Sequence, residues 1–425
     1  MGLYQLARFG GLVPRRILSS VLRKMVESDD ETRRLVARSA AIFAVAVLFA
    51  GCGAEQASEE PEDPGGSGAQ TELTDSGTPA PEDTDAVDPE STSANAGPVK
   101  VQTSVITRGL EAPWDLVFTP DGEALITERD SGRLLSVDSS GNVEELQRLP
   151  AGGTGEGGLL GIALSPDYEN DGYIYAYYTT DNDNRLTRFR LGEDPEPLLT
   201  GIPVQSYHNG GRIAFGPDGY LYLGTGDGGD ISTSQDLNSL GGKILRLTPE
   251  GRVPSDNPFP GSPVYSYGHR NVQGLAWDAS GRLYATEFGQ TSYDEVNIIE
   301  PGQNYGWPEI EGEGGEPRYT DPISTWSTSE ASPSGAEILI NGAIPQWEGD
   351  FFMAALRGQR LWRLDLDENG AVVDREAFLS GQAGRLRHVA QAPDGSLWIL
   401  TSNRDGRGNP TADDDRILRL APADG

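Results

Sequence analysis

The chain has 425 residues, of which 36% are hydrophobic and 23% charged, so it can bury a sizeable core in one large domain or two ordinary ones. Its 65 acidic side chains outnumber 33 basic ones and give a formal net charge of -32. A surface this negative repels phosphate backbones, which argues against nucleic acid as a partner. The single cysteine excludes an internal disulfide.

The N-terminal part of the chain has the organisation of an export signal. Arg33, Arg34 and Arg38 precede an apolar run at residues 40–50, and Cys52 follows closely. The run is too short to span a bilayer, and its charged, apolar and small-residue order is typical of secretory signals. Its end resembles a bacterial lipoprotein signal, in which the cysteine becomes the lipidated N-terminus. We predict that residues 1–52 direct export and that a lipid on Cys52 anchors the protein at the periplasmic or extracellular face of a membrane; a plain secretory signal is the alternative.

The segment at residues 53–97 differs sharply from the rest of the chain. It consists largely of Glu, Asp, Pro, Gly, Ser and Thr, with almost no large apolar residue. Such a composition cannot offset the entropy of ordering, so we predict a disordered acidic linker. From residue 98 to 425, short runs of aliphatic and aromatic residues alternate with Gly, Asp, Asn and Pro clusters. This pattern predicts an all-β domain.

An internal repeat indicates which β architecture the domain adopts. The phrase consists of an apolar residue, a small residue and Pro-Asp-Gly, followed by an alternating strand, and Pro-Asp-Gly favours a tight turn. Six copies predict a six-bladed β-propeller of four-stranded antiparallel blades. The clear copies are 118–122, 215–219 and 391–395, and the weaker ones are 164–167, 277–281 and 347–350.

The two ends of the domain are predicted to meet. The last strand, at residues 416–420, precedes no further blade, so we expect it to pair with the N-terminal strand near residues 101–106 and close the ring. The acidic run at residues 413–415, just before it, is interpreted as a solvated turn.

Polar groups gather where the sequence departs from the repeat. The first such phrase, residues 207–212, contains His208 between Tyr207 and two glycines. A histidine can act as a general base near neutral pH, and neighbouring glycines let backbone and substrate approach it closely. A hydrogen-bonded structural histidine would give the same sequence pattern. Three further polar phrases follow at 267–274, 287–297 and 304–308.

These four phrases, together with residues 113–116, 155–161 and 235–243, resemble the soluble quinoprotein glucose/sorbosone dehydrogenase family in composition and order. The resemblance covers essentially everything from residue 100 onward. It implies a propeller enzyme that holds pyrroloquinoline quinone and Ca²⁺, oxidises aldose sugars at the anomeric carbon to lactones, and passes electrons to an external quinone or cytochrome.

The resemblance also assigns catalytic roles. His208 would take the proton from the anomeric hydroxyl, and Asp294 would orient His208 and stabilise its charge. Glu156 matches a glutamine that lines the sugar and cofactor pocket. Tyr207 stands where the best-known glucose enzymes carry an acid, so relatives that act on varied aldoses are the closer match.

By the same resemblance, cofactor binding is assigned to Glu156 and to five further residues. Arg270 and Asn271 would bind the cofactor's oxygens, and Arg385 and Arg387 match an Arg-x-Arg pair that clamps it. Arg357 occupies a position where the glucose enzymes carry lysine, which preserves the charge but changes its geometry.

Calcium in this family is held by backbone carbonyls, at the positions of Gly289 and Gln290, together with cofactor oxygens. Such ligands suit a hard cation. Residues 227–230 would form either a separate calcium loop or a hydrogen-bonded turn. His269 and His388 lie beside cofactor arginines, and we assign them supporting or packing roles.

Two alternatives remain open on sequence. A calcium-dependent lactonase or other hydrolase on a propeller would need side-chain carboxylates and asparagines converging on the metal. A non-catalytic propeller that binds a protein or a glycan would need neither His208 nor the arginines. The preferred sugar, the electron acceptor and the choice between monomer and homodimer do not follow from the sequence.

Overall fold

The computed structural model describes residues 99–315 and 317–423. The predicted signal, Cys52 and the predicted linker lie outside these residues. Within them the chain is all-β, with one short helix, α1, at Tyr168–Asp171 and two 3-10 turns at Ile231–Ser234 and Pro345–Trp347. In this part of the chain no helix is long and apolar enough to cross a membrane.

Twenty-four strands form six four-stranded antiparallel sheets, which confirms the predicted blades. Blade 1 consists of β2 Pro113–Phe118, β3 Ala124–Glu128, β4 Arg133–Val137 and β5 Val143–Arg148. Blade 2 consists of β6 Leu159–Leu164, β7 Ile174–Thr179, β8 Asn184–Phe189 and β9 Glu196–Ile202. Blade 3 consists of β10 Ile213–Phe215, β11 Leu221–Gly224, β12 Lys243–Leu247 and β13 Val264–Tyr267. Blade 4 consists of β14 Val272–Trp277, β15 Leu283–Glu287, β16 Tyr293–Ile299 and β17 Ser324–Ser327. Blade 5 consists of β18 Pro333–Ile338, β19 Phe351–Ala355, β20 Arg360–Leu366 and β21 Val372–Phe378. Blade 6 consists of β22 Leu386–Gln391, β23 Leu397–Thr401, β24 Arg416–Pro422 and the N-terminal strand β1 Val101–Arg108.

The core lies between neighbouring blades. Alternating apolar residues of adjacent sheets pack face to face, as in the cluster that joins blades 5 and 6 through Trp347, Phe352 and Leu418. The first strands lie near the propeller axis, because most of them contact the first strands of the neighbouring blades. This packing is the largest stabilising contribution available to an all-β ring.

The ring closes as predicted, since β1 pairs antiparallel with β24 from Val101 opposite Pro422 to Arg108 opposite Arg416. The acidic run before β24 is not solvated throughout, however. Asp414 and Asp415 are buried. The backbone of Asp415 exchanges hydrogen bonds with Leu110 at 3.0 and 2.9 Å, which joins the last strand to the start of blade 1. The prediction of a solvated turn was wrong here because an acidic run can also supply buried acceptors.

The Asp415 carboxylate makes its own contribution to closure. It accepts hydrogen bonds from the backbone N–H groups of Ala112 at 3.2 Å and Asn403 at 2.5 Å, and from the Thr401 hydroxyl at 3.1 Å. Asp415→Ala would leave these buried donors without an acceptor, at about 1–3 kcal/mol each. We expect a loss of about 3 kcal/mol in the free energy of unfolding, measured by urea denaturation. The exposed neighbour Asp413→Ala is the control, and equal stability of the two variants would contradict the closure role.

Strand direction decides where the polar loops lie. In each blade, the turn between the first two strands is at one end of the propeller, and the loop between the second and third strands is at the other. The connections between consecutive blades return to that second end, which we call the loop end. His208, Arg270 and Arg385 lie on or beside blade connections, while Gly289 and Arg357 lie on loops between second and third strands. All five are therefore brought to the loop end.

Candidate active site

His208 lies in the connection between β9 and β10 and has a positive φ of 57°. Such backbone is uncommon for a residue other than glycine and is often found at functional sites. Its Nδ1 is 2.7 Å from Oδ1 of Asp227, and its backbone N–H donates to Glu156 at 3.0 Å. When Nδ1 carries the proton toward Asp227, Nε2 is the basic atom of the ring. This tautomer is the one that a general base requires.

Asp227 follows β11 and is fully buried. Besides His208, it accepts hydrogen bonds from the backbone N–H of Gly229 at 2.7 Å and from Nε1 of Trp307 at 3.0 Å. Burial alone would raise the pKa of Asp227, but the hydrogen bonds and the charge of His208 outweigh it and hold the pKa below its usual value. An ionised Asp227 can therefore stabilise a protonated His208. Residues 227–230 form a hydrogen-bonded turn, in which the backbone N–H of Asp230 donates to the carbonyl of Asp227 at 3.2 Å.

Asp294 does not make the predicted contact with His208; Asp227 makes it instead. The Asp294 carboxylate accepts from the backbone N–H groups of Gly289 at 3.0 Å and Ser332 at 2.6 Å. Burial raises the pKa of Asp294 to about 6, and the two N–H donors offset part of that rise. The predicted role of Asp294 in orienting His208 is therefore wrong. A separate catalytic role for Asp294 stays a prediction.

A cavity of about 610 Å³, which we call the histidine cavity, opens at the loop end. His208 and Asp227 line it, and the aromatic ring of Trp307 forms part of its wall. Eight of the ten residues predicted for catalysis, cofactor and metal are brought together there. They are Glu156, His208, Arg270, Asn271, Gly289, Gln290, Asp294 and Arg357.

The other two predicted residues, Arg385 and Arg387, line an adjoining cavity of about 220 Å³, the arginine cavity. The two cavities share Glu156, Phe288 and Arg407 as lining residues. The two cavities therefore adjoin at the loop end, and together they form the space of the candidate site.

Arg385 and Arg387 approach the same carboxylate. Asp405 lies 2.8 Å from Arg385 and 3.5 Å from Arg387. Burial lowers the pKa of Arg387 to about 9, and its NH1 donates to Gln273 at 2.9 Å. One acceptor for two guanidinium groups leaves an excess of positive charge in the arginine cavity.

Buried donors without partners show what this space is suited to hold. Among the described residues, Nε of Arg270 and Nε of Arg387 are buried and make no hydrogen bond. Burial also lowers the pKa of Arg270, whose guanidinium lies 5.3 Å above the ring of Trp307. Buried donors of this kind normally bind acceptors, so the space fits a flat ligand that carries several carboxylates.

The loop after β15 is fixed mainly through its N–H groups. Gly289 N–H is held by Asp294, and the N–H groups of Gln290 and Ser292 by Glu311, the latter at 3.0 Å. With these N–H groups occupied, the carbonyl oxygens of Gly289 and Gln290 are the backbone atoms of the loop that remain available to a hard cation. Residues 99–315 and 317–423 hold no cluster of three or more His, Cys, Asp or Glu side chains arranged to bind a metal. A carboxylate-built metal centre, which the hydrolase alternative needs, is therefore not found in the described residues.

The two other histidines have the supporting roles expected of them. His269 is fully buried between Glu287, 2.7 Å from its Nδ1, and Ser266, 2.8 Å from its Nε2. Glu287 also accepts from the backbone N–H of Arg270, so this network helps position Arg270. His388 is buried, with its Nε2 3.3 Å from Asp115, and lines neither of the two cavities.

The comparison with known proteins matches the same part of the chain as the propeller. A profile of the glucose/sorbosone dehydrogenase family matches residues 110–418, most of the described domain. The chain belongs to the glucose/sorbosone dehydrogenase family.

Similar members of the glucose/sorbosone dehydrogenase family have been solved or curated. The PQQ-bound aldose sugar dehydrogenase of Streptomyces coelicolor is 52% identical, with a TM-score of 0.71, and the match covers 77% of this chain and 99% of that one. Aldose sugar dehydrogenase YliI of Escherichia coli is 31% identical over 73% of this chain and 92% of its own length. Quinoprotein glucose dehydrogenase B of Acinetobacter calcoaceticus is 30% identical over 74% of this chain and 87% of its own length.

The structure adds two site residues of this family member that the sequence did not indicate. Asp227 was interpreted as part of a turn, although its position after β11 places it at the loop end, which is the available signal. Arg407 lies on the loop between β23 and β24 and pairs with Glu156 at 2.7 Å. No motif marked this pair, because its partners belong to loops of different blades.

Proposed function

We propose that this protein is a quinoprotein sugar dehydrogenase that oxidises aldoses at the anomeric carbon to lactones, using pyrroloquinoline quinone and Ca²⁺, and passes the electrons to an external acceptor. One observation carries the proposal. The histidine and aspartate pair and the group of arginines line two adjoining cavities that share Glu156, Phe288 and Arg407. A general base and a receptor for a polyanionic cofactor are thus within reach of a single bound sugar.

The proton-transfer part of the reaction rests on His208 and Asp227. Nε2 of His208 removes the proton from the anomeric hydroxyl while hydride leaves the same carbon. Asp227 holds the Nδ1 proton at 2.7 Å and stabilises the imidazolium that results. Trp307 keeps Asp227 in place through its indole N–H at 3.0 Å. Bound pyrroloquinoline quinone supplies an ortho-quinone as hydride acceptor.

Cofactor binding is proposed for the arginines and for Asn271. Arg270, Arg385 and Arg387 would pair with the carboxylates, because these side chains line the space and two of them carry buried donors without partners. Arg357 is exposed and lines the histidine cavity. Its guanidinium is a planar group with several donors, whereas the lysine of the glucose enzymes at this position carries a compact point charge. The carbonyls of Gly289 and Gln290 would hold Ca²⁺.

The proposed setting of the reaction is outside the cytoplasm. It follows from the export signal and the lipid on Cys52 inferred from the sequence. A sugar substrate and an external acceptor, quinone or cytochrome, suit an enzyme that is tethered beside a membrane.

Dye-linked oxidation of a panel of aldoses by the purified protein tests the proposal. We expect activity only when both pyrroloquinoline quinone and Ca²⁺ are added to the apoprotein, and its loss when Ca²⁺ is chelated. Hydrolysis of lactones with Ca²⁺ alone would instead support the hydrolase alternative. A folded, inactive protein that captures a glycan would support the binding-protein alternative.

Arg387→Ala should weaken cofactor binding. Each charge-assisted hydrogen bond contributes about 1.5–3 kcal/mol, so the dissociation constant of pyrroloquinoline quinone should rise about 10- to 100-fold in a fluorescence titration. Arg419→Ala removes a guanidinium that pairs with Asp394 far from the site and is the matched control. Equal titrations of the two variants would rule out Arg387 as part of the clamp.

A further inference from the structure

A third cavity of about 500 Å³, the glycine cavity, adjoins the arginine cavity. The connection between β5 and β6 forms much of its wall, with contributions from the loops after β3 and β23. It therefore lies above blades 1, 2 and 6, whereas the histidine cavity is lined mostly by loops of blades 3, 4 and 5. Arg129, Gly155, Asp405 and Gly406 line both the glycine cavity and the arginine cavity. The arginine cavity thus has a neighbouring opening on each side.

An ion pair lies where the histidine and arginine cavities adjoin. Glu156 contacts Arg407 through one carboxylate oxygen at 2.7 Å and accepts the His208 backbone N–H through the other at 3.0 Å. Both Glu156 and Arg407 line the histidine and arginine cavities but not the glycine cavity. Together they join the β5–β6 connection to the β23–β24 loop. The ion pair therefore belongs to the histidine side of the arginine cavity and not to its glycine side.

Backbone forms much of the wall of the glycine cavity. A Cβ at Gly155 or Gly158 would meet the carbonyl oxygens of Ser206 or Arg129 at 2.2 Å, so side chains there would point into the protein. Bare backbone leaves room for a flat ring and offers it polar groups at close range.

The formal charges that line the glycine cavity sum to zero, because Arg129 and Arg404 are matched in number by Asp130 and Asp405. Arg129 pairs with Asp130 at 2.6 Å, and Asp405 is paired with Arg385 at 2.8 Å. Nε of Arg404 donates to the carbonyl of Asp414 at 2.6 Å. A small uncharged ligand needs no further countercharge here, and a cavity of about 500 Å³ suits one or two aromatic rings.

We propose that the glycine cavity admits the electron acceptor, a small uncharged quinone, while the sugar enters through the histidine cavity. The inference rests on the proposed function, which places the cofactor in the space between the two openings. Oxidation of an aldose to its lactone releases two electrons and two protons, and reduction of a quinone to its quinol consumes both pairs. Separate openings let the acceptor reach the site without passing His208.

Two matched substitutions on the full-length, cofactor-loaded protein test this proposal. Thr154 is exposed and lines the glycine cavity, and Ile231 is 51% exposed and lines the histidine cavity. Thr154→Trp should raise the dissociation constant of the tail-less ubiquinone headgroup about 10-fold, measured by calorimetry without sugar. It should slow reoxidation of the reduced protein by this quinone and leave its reduction by sugar unchanged. Ile231→Trp should slow reduction by sugar and leave quinone binding unchanged.

The smaller Thr154→Leu should give an intermediate effect, and a cofactor titration with circular dichroism confirms that each variant is folded and loaded. Unchanged quinone affinity in Thr154→Trp, or equal effects of both tryptophans on sugar and quinone, would overturn the two-opening arrangement. If sugar fails to reduce even the wild-type protein, the proposed function fails. The quinone dissociation constants still decide where the quinone binds.

Discussion

His208→Asn lowers kcat for aldose oxidation by about 10²- to 10⁴-fold, the range that a positioned general base contributes. Asparagine is the suitable replacement because it tolerates the positive φ of 57° at this position better than alanine does. The loop should therefore keep its shape while the base is lost. Steady-state kinetics with a saturating aldose gives the rate, and a titration of pyrroloquinoline quinone should give an unchanged dissociation constant.

Ser206→Ala, two residues earlier in the same connection, is the control for the His208 variant. Ser206 is exposed, and its contact with Glu156 is made by its backbone carbonyl, so activity should be retained. Comparable kcat values for His208→Asn and the wild type would remove His208 as the base.

Asp227→Asn should lower kcat by about 10²-fold or more and leave KM for the sugar little changed, because it removes the charge that stabilises protonated His208. The matched variant is Asp294→Asn, which changes a buried carboxylate of the same cavity that bonds only to the backbone of Gly289 and Ser332. We expect Asp294→Asn to change mainly the Ca²⁺ concentration needed for activity, because Asp294 holds the loop that contains Gly289.

Full kinetic and calcium titrations of both aspartate variants separate these roles. A large loss of kcat in Asp294→Asn with normal turnover in Asp227→Asn would contradict the pairing of Asp227 with His208 as the functional one. It would restore the role that the family resemblance first assigned to Asp294.

The fold followed from the sequence because its signals are local. Pro-Asp-Gly determines a turn by itself, and an unpaired final strand predicts closure with the first, so blade number and closure were confirmed. Strand direction also sends every blade connection to one end of the propeller, which is why the candidate residues lie together there.

Pairings within the site were not accessible in the same way. Asp227 and Asp294 both lie at the loop end, and only the distance between loops of different blades shows that Asp227 contacts His208. The same holds for the contact between Glu156 and Arg407. It also holds for the buried Asp415, whose hydrogen-bond partners come from blade 1 and blade 6. Spacing along a chain carries no information about such contacts.

The central claim is that this protein oxidises a sugar at its anomeric carbon with the quinone cofactor bound beside His208. Its most direct test is an anaerobic single turnover, in which protein loaded with pyrroloquinoline quinone and Ca²⁺ is mixed with aldoses in the absence of any acceptor. The account predicts one lactone formed for each bound cofactor, a matching change in cofactor absorbance, and slower reaction when the anomeric carbon carries deuterium. A loaded protein whose cofactor absorbance stays constant with every aldose, and which forms no lactone, would contradict it.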